Sequence, residues 1–107
     1  MNKEKYQKEL DKLSKQIIKK YQPEKIILFG SLAEGNLRKG SDIDLLVIKK
    51  SDKDYWERAE EIAEIIDIDV PCDVLNITPK ELKNRLAVND FFIGDIINKG
   101  KVVYERA

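Results

Sequence analysis

Three short apolar runs set the limits on how this chain can fold. KIILFG (Lys25 to Gly30), DIDLLVI (Asp42 to Ile48) and PCDVLNI (Pro71 to Ile77) are six or seven residues long. That is strand length, and too short for a helix that buries a face. Turn formers bracket them: Pro23 precedes the first, Gly30-Ser31 closes it, and Pro71 opens the third. Helical periodicity fills the remainder. Tyr6, Leu10, Leu13, Ile17 and Tyr21 recur at spacings of three and four, which predicts an amphipathic helix over 3–21 that ends before Pro23. A second helix is expected over 53–66, capped by Ser51 or Asp52, with Tyr55, Ala59, Ile62 and Ile66 as its stripe. Thr78, Pro79 and Glu81 form a capping-box signature with proline at the first helical position, so a helix is expected from there to about Leu86. A further apolar segment holds Phe92, Ile93, Ile96 and Ile97 and closes at Gly100, and KVVYE (Lys101 to Glu105) reads as a last, edge strand. Helices interleaved with strands indicate an α/β or α+β domain built on one sheet. Residues 1–107 are expected to form one domain.

Composition removes whole classes of chemistry. Lys+Arg and Asp+Glu are equal at 20 each, so the positive excess of a general nucleic-acid binder is missing. The lysine run from Lys3 to Lys20 is broken by Glu4, Glu9 and Asp11 and reads as a solvated helix face. There is no histidine and a single cysteine, Cys72. Ser-His-Asp and Cys-His catalysis, histidine metal sites and an internal disulfide are therefore excluded. Cys72 sits in an apolar stretch as a small core residue. The charged N-terminus lacks an apolar signal region and no run approaches membrane-spanning length, so the cytoplasm is the expected compartment.

What remains is carboxylate chemistry, and three features converge on it. Gly30 ends a buried strand and lets backbone approach a ligand closely, while Ser31 adds a hydroxyl; together they suit phosphate oxygens. Asp42-Ile43-Asp44 places two carboxylates on one strand face, roughly 7 Å apart along the backbone. Such a pair repels itself unless a cation lies between, and hard oxygen ligands on a rigid strand suit Mg²⁺. Asp73 is a charge within the apolar third strand, and is expected to be paired or metal-bound. Asp69 is its rival, because Asp67-Ile68-Asp69 imitates the same pattern; Asp73 is favoured because apolar residues flank it and Pro71 separates Asp69 from the strand. Trp56, with Tyr55, is expected to pack on the core. Phe91, Phe92, Ile96 and Ile97 are expected to be mostly core, with a part left for a subunit contact.

Gly30-Ser31, followed after ten residues by Asp42-x-Asp44, resembles the signature of the DNA polymerase β-like nucleotidyltransferases. The stretch IILFGSLAEGNLRKGSDIDLLVI, the short length and the closing KVVYER resemble their minimal branch, over essentially residues 24–105. The resemblance implies the polymerase β-like fold, a single mixed sheet of about four strands with flanking helices. It implies that Asp42 and Asp44 hold two Mg²⁺ ions, that Asp73 is the third metal-binding and catalytic carboxylate, and that Gly30, Ser31 and Arg38 contact the triphosphate. Many relatives carry Ala-Arg-Gly where this chain has Ala33-Glu34-Gly35, so one phosphate-facing base is lost. The minimal branch resembles the antitoxin half of two-component modules whose partner is a HEPN-domain toxin. In that setting AMP passes from ATP to a tyrosine hydroxyl of the toxin, within a homo- or hetero-oligomer. The alternative is a module that keeps the fold and neutralises its partner by contact alone.

Overall fold

The structure is a computed structural model that describes residues 3–35 and 41–107. Helix α1 (Lys3–Tyr21) leads into strand β1 (Lys25–Phe29), a one-turn helix α2 (Gly30–Ala33) and strand β2 (Ile43–Ile48). Helix α3 (Tyr55–Ile65) carries the chain to β3 (Cys72–Ile77); α4 (Pro79–Ala87), α5 (Phe91–Lys99) and β4 (Lys101–Glu105) follow. The four strands form one sheet in the order β3-β2-β1-β4. β1 is antiparallel to both its neighbours, whereas β2 and β3 run parallel. The sheet is therefore mixed, and β4 is an edge strand as its sequence suggests.

Strand alternation sorts the core onto two faces. Ile43, Leu45 and Val47 of β2 join Ile26 and Leu28 of β1 under α1 and α3, where Leu10, Leu13, Ile17 and Ile62 complete a closed core. Leu46 and Ile48 point the other way and join Ile27, Ile77, Ile93 and Ile96 beneath α4 and α5. The apolar stripe expected on α1 is buried, from Tyr6 to Tyr21. One charge sits among it: Glu9 is buried, and its Oε1 accepts the Asp69 backbone N–H. Glu9 is thus no part of a solvated face. It holds the loop before β3 against α1.

Helix boundaries follow the caps. At α4, Thr78 and Glu81 form the expected reciprocal box, with Pro79 at the first turn. At α3 the cap is Asp54, which accepts from Glu57 N at 2.9 Å while Glu57 returns a bond to Asp54 N. The helix accordingly starts at Tyr55, later than a cap at Ser51 or Asp52 would place it. Reciprocal capping satisfies two otherwise orphaned donors, and Ser51 and Asp52 have no Glu or Gln three residues on to answer them.

Two expectations about aromatic packing are corrected. Trp56 is 77% exposed, its ring set edge-on against Tyr55. Phe91 is 94% and Phe92 56% exposed. The core side of α5 is supplied instead by Ile93 and Ile96. Apolar spacing gives the phase of a helix but not how much of its stripe a neighbour covers.

Leu13 is fully buried between α1 and the sheet. Leu13→Ala is expected to cost about 2–5 kcal/mol in denaturant unfolding. Lys15→Ala on the exposed side of the same helix should stay within about 0.5 kcal/mol.

Candidate active site

The end of β1, the start of β2 and the start of β3 meet at one corner of the sheet. In the antiparallel pair Phe29 lies opposite Asp44, and in the parallel pair Asp44 lies beside Asp73. Neighbouring strands are about 4.8 Å apart, so the two carboxylates leave adjacent backbones on the same face. That face is the one under α4 and α5, because Asp44 shares the parity of Leu46 and Ile48, and Asp73 that of Leu75 and Ile77. Asp42 precedes β2 with the same parity as Asp44 and is exposed. Asp69 lies outside this corner. It is exposed in the loop before β3, with its N–H held by Glu9 of α1.

The corner is rigid because the backbone around Asp42 is clamped on both sides. The buried Tyr6 hydroxyl donates to the Ser41 carbonyl at 2.8 Å, and the Ile43 N–H donates to Pro71 O at 2.9 Å. The Ser31 hydroxyl donates to Ser41 Oγ at 3.3 Å, tying the Gly-Ser turn to the start of β2. Arg38 lies outside the described residues.

Gly30 shows why this turn takes glycine. Its φ is +75°, a region L-residues rarely adopt, and a Cβ there would stand 3.1 Å from Asp44 Cγ and collide with the carboxylate itself. The turn therefore packs directly on the Asp44 side chain.

Among the described residues, like charges dominate the corner. Burial pushes the Asp44 carboxyl above the usual carboxylate range, and the charges of Asp73 and then Asp42 push it further. Among the described residues none of the three acids has an ion-pair partner. Burial, with Asp42 and Asp73 adding to it, also raises the Cys72 thiol, which suits a packed residue and not a nucleophile.

Asp73 differs from expectation in its surroundings. Asp73 is exposed, since β3 is an edge strand, and it is no buried charge seeking a partner. Its alignment with Asp44 comes from strand register. Among the described residues, no three His, Cys, Asp or Glu side chains form a ready-made metal cage. Mg²⁺ needs only one or two protein carboxylates when substrate phosphates and water complete its shell, so the unpaired Asp44–Asp73 pair with Asp42 beside it fits that ion.

Two cavities lie beside α5, and one of them reaches α3 as well. One, of about 260 Å³, lies against Phe29, Gly30, Glu34, Phe92, Asp95 and Lys99. Lys99 is engaged with Asp95 at 3.3 Å, so this cavity offers a phosphate little free positive charge. The other, of about 340 Å³, lies beyond the carboxylates and is lined by Leu46, Tyr55, Arg58, Leu75, Asn76 and Phe92, among others. Phe92 belongs to both, its ring edge-on to Phe29 at 6.0 Å. Arg58 and Asn76 were not singled out by sequence reasoning, and Phe92 was expected only as core or subunit contact. Arg58 carried a usable signal, because it stands at the core phase of α3, four residues before Ile62.

With this geometry, comparison with known proteins is informative. The chain belongs to the polymerase beta nucleotidyltransferase family, whose profile matches residues 11–107. Among solved structures it is similar to a toxin–antitoxin with AMP-PNP, at 26% identity and a TM-score of 0.55, over 99% of this chain and 75% of that one. A candidate nucleotidyltransferase from Sulfolobus solfataricus matches at 22% identity and a TM-score of 0.57, over 89% of this chain and 79% of that one. A mutant MntA–HpeT toxin–antitoxin matches at 20% identity and a TM-score of 0.57, over 99% and 75%. The latter two likenesses are of fold. No curated protein gives a significant sequence match.

Two predictions follow from the corner. Gly30→Ala combines an unfavourable φ with a collision at Asp44, and is expected to cost about 1–3 kcal/mol of stability in denaturant unfolding. Because the folded-state pKa of Asp44 is raised, the folded protein binds more protons than the unfolded chain between the unfolded value of about 3.9 and that raised value. Stability from this group is present at low pH and is lost as pH rises through the window. Asp44→Asn should therefore melt higher than the wild type at pH 7 in chelator, with the gap closing below about pH 4.

Proposed function

We propose that the protein is a Mg²⁺-dependent nucleotidyltransferase that moves AMP from ATP to a tyrosine hydroxyl of a partner HEPN-type toxin, acting as its antitoxin. The observation that carries this reading is the side-by-side placement of Asp44 and Asp73 against the Gly30 turn, on a fold whose family performs nucleotidyl transfer. Asp42, Asp44 and Asp73 would hold the metal, and Gly30 and Ser31 would face the triphosphate, with Arg38 as a further phosphate contact. When bound, Mg²⁺ supplies neutralisation of the phosphate charge and lowers the barrier to attack.

The chain's own part is positioning. The Tyr6–Ser41 and Ile43–Pro71 bonds fix the backbone that carries Asp42 and Asp44, so the carboxylates need not reorganise as charge develops. In the transfer, the acceptor oxygen forms a bond to the α-phosphorus. The bond from that phosphorus to the bridging oxygen of the β-phosphate breaks, and pyrophosphate leaves. Asp73, the more exposed of the pair, would receive the hydroxyl proton.

A macromolecular acceptor suits the open corner and the exposed aromatics beside it, since a small acceptor would need walls that these residues do not supply. The similarity to toxin–antitoxin structures, one of them with AMP-PNP, supports the same direction. No helix among the described residues is long and apolar enough to cross a membrane, and we place the reaction in the cytoplasm.

The test is α-labelled ATP with Mg²⁺ and the partner encoded beside this chain. Label is expected on a partner tyrosine. Asp42→Asn or Asp44→Asn should reduce it about 10²–10³-fold, the scale for losing one charge-stabilising group at a transition state. Full neutralisation of the partner by either variant, without labelling, would overturn the reading in favour of a contact-only antitoxin.

A further inference from the structure

We propose that the groove beside the Gly30 turn is a docking pocket for one basic side chain, a lysine or arginine, of the protein that accepts the nucleotide, with Glu34 as its counter-charge. The proposal rests on the nucleotidyltransferase reading and deepens it, since it names what selects the acceptor.

The first argument is placement. Gly30 borders the groove, and the same residue packs on the Asp44 side chain. Phe29 also lines the groove and stands opposite Asp44 in the β1–β2 ladder. A side chain inserted here therefore holds its own chain beside the carboxylate corner. Glu34 is fixed to the turn, because its N–H donates to Gly30 O at 3.2 Å. A second copy of this chain is a poorer occupant, since a whole domain seated here would close the corner to substrate.

The second argument is size and lining. At about 260 Å³ the groove is smaller than the roughly 300–1,000 Å³ of small-molecule sites, and it suits one inserted side chain. Phe29, Ala33, Phe92 and Ile96 give it apolar walls. Long cationic side chains bury an apolar stem and keep the charged head at the rim, and an aromatic face attracts that head. Mg²⁺ finds no such match in apolar walls, since it takes oxygen ligands.

The third argument is charge complementarity. The charged residues of the groove are Glu34, Asp95 and Lys99. Lys99 is engaged by Asp95 at 3.3 Å. Glu34 is exposed and, among the described residues, has no ion-pair partner. One carboxylate is thus left over at the rim, and it repels phosphate and attracts a cation.

The test measures two affinities by calorimetry, one for the partner encoded beside this chain and one for the imido analogue of ATP with Mg²⁺. Glu34→Gln should weaken the partner about tenfold, the scale for losing one charged hydrogen bond, and Glu34→Arg should weaken it further. Both variants should bind the analogue and melt as wild type does, because Glu34 is exposed. Each lysine and arginine of the partner is then changed to glutamate in turn. One such change should weaken binding to wild type about tenfold and regain that loss against Glu34→Arg. Unchanged partner affinity in both Glu34 variants, or no partner variant that Glu34→Arg rescues, would overturn the proposal. So would a Glu34→Arg variant that binds the analogue more tightly at unchanged partner affinity, which would make the groove a phosphate site. Failure of the underlying reading looks different: α-labelled ATP then gives no transfer that depends on Asp44, whatever stands at position 34.

Discussion

Two carboxylates held next to each other across a parallel ladder are the constraint around which the molecule is arranged. Asp44 and Asp73 stand beside each other because β2 and β3 pair in one register, from Ile43 with Cys72 to Ile48 with Ile77. Parallel pairing requires a crossover, and α3 supplies it. A slip of one residue would turn Asp73 toward the α1 and α3 face, where Ile43, Leu45 and Ile62 leave no place for a charge. Several otherwise isolated features serve that register. Glu9 holds the loop at Asp69, Pro71 O receives the Ile43 N–H, and Arg58 links α3 to Asn76 at the far end of β3. The ladder thus keeps together two groups whose charges repel.

The two faces of the sheet divide the labour. Under α1 and α3 the core is closed, and α1 reaches beyond packing through the Tyr6 hydroxyl to the backbone that carries Asp42. Under α4 and α5 the cover is shorter. Ile93 and Ile96 reach the sheet, but Phe91 and Phe92 turn outward, and two hollows lie beside Phe92. Stability is concentrated on one side so that the other can stay open. Gly30 marks the boundary, where even a methyl group would displace Asp44.

Much of this was legible in the sequence, for reasons that can be stated residue by residue. Strand parity alone separated Ile43, Leu45 and Val47 from Asp44, Leu46 and Ile48, because the side-chain period of a strand admits no other sorting. Thr78 and Glu81 fixed the start of α4, because reciprocal capping is local chemistry. Tertiary cover was not legible. Trp56 and Phe91 carry apolar side chains at plausible helical phase, yet both stay largely exposed. Asp73 was placed in the right strand by a faulty argument from burial, since the order of strands in the sheet decides exposure and no short motif encodes that order. Arg58 illustrates the converse. Its charge hid it from a search for core residues, although its position four before Ile62 gave it away.

The economy of the chain also follows from where the site groups sit. Phe29, Asp44 and Asp73 are strand residues in paired register, and Gly30 follows directly on the end of β1. Their relative positions are therefore set by backbone hydrogen bonds and not by loops that a larger scaffold would have to brace. The Tyr6, Pro71 and Ser31 contacts then fix the one carboxylate, Asp42, that lies just outside the ladder. A sheet of four strands is enough to define such a corner, because only three strand ends must meet there. On the α4 and α5 side the described residues supply no enclosing wall, and the ring of Phe91 is exposed there.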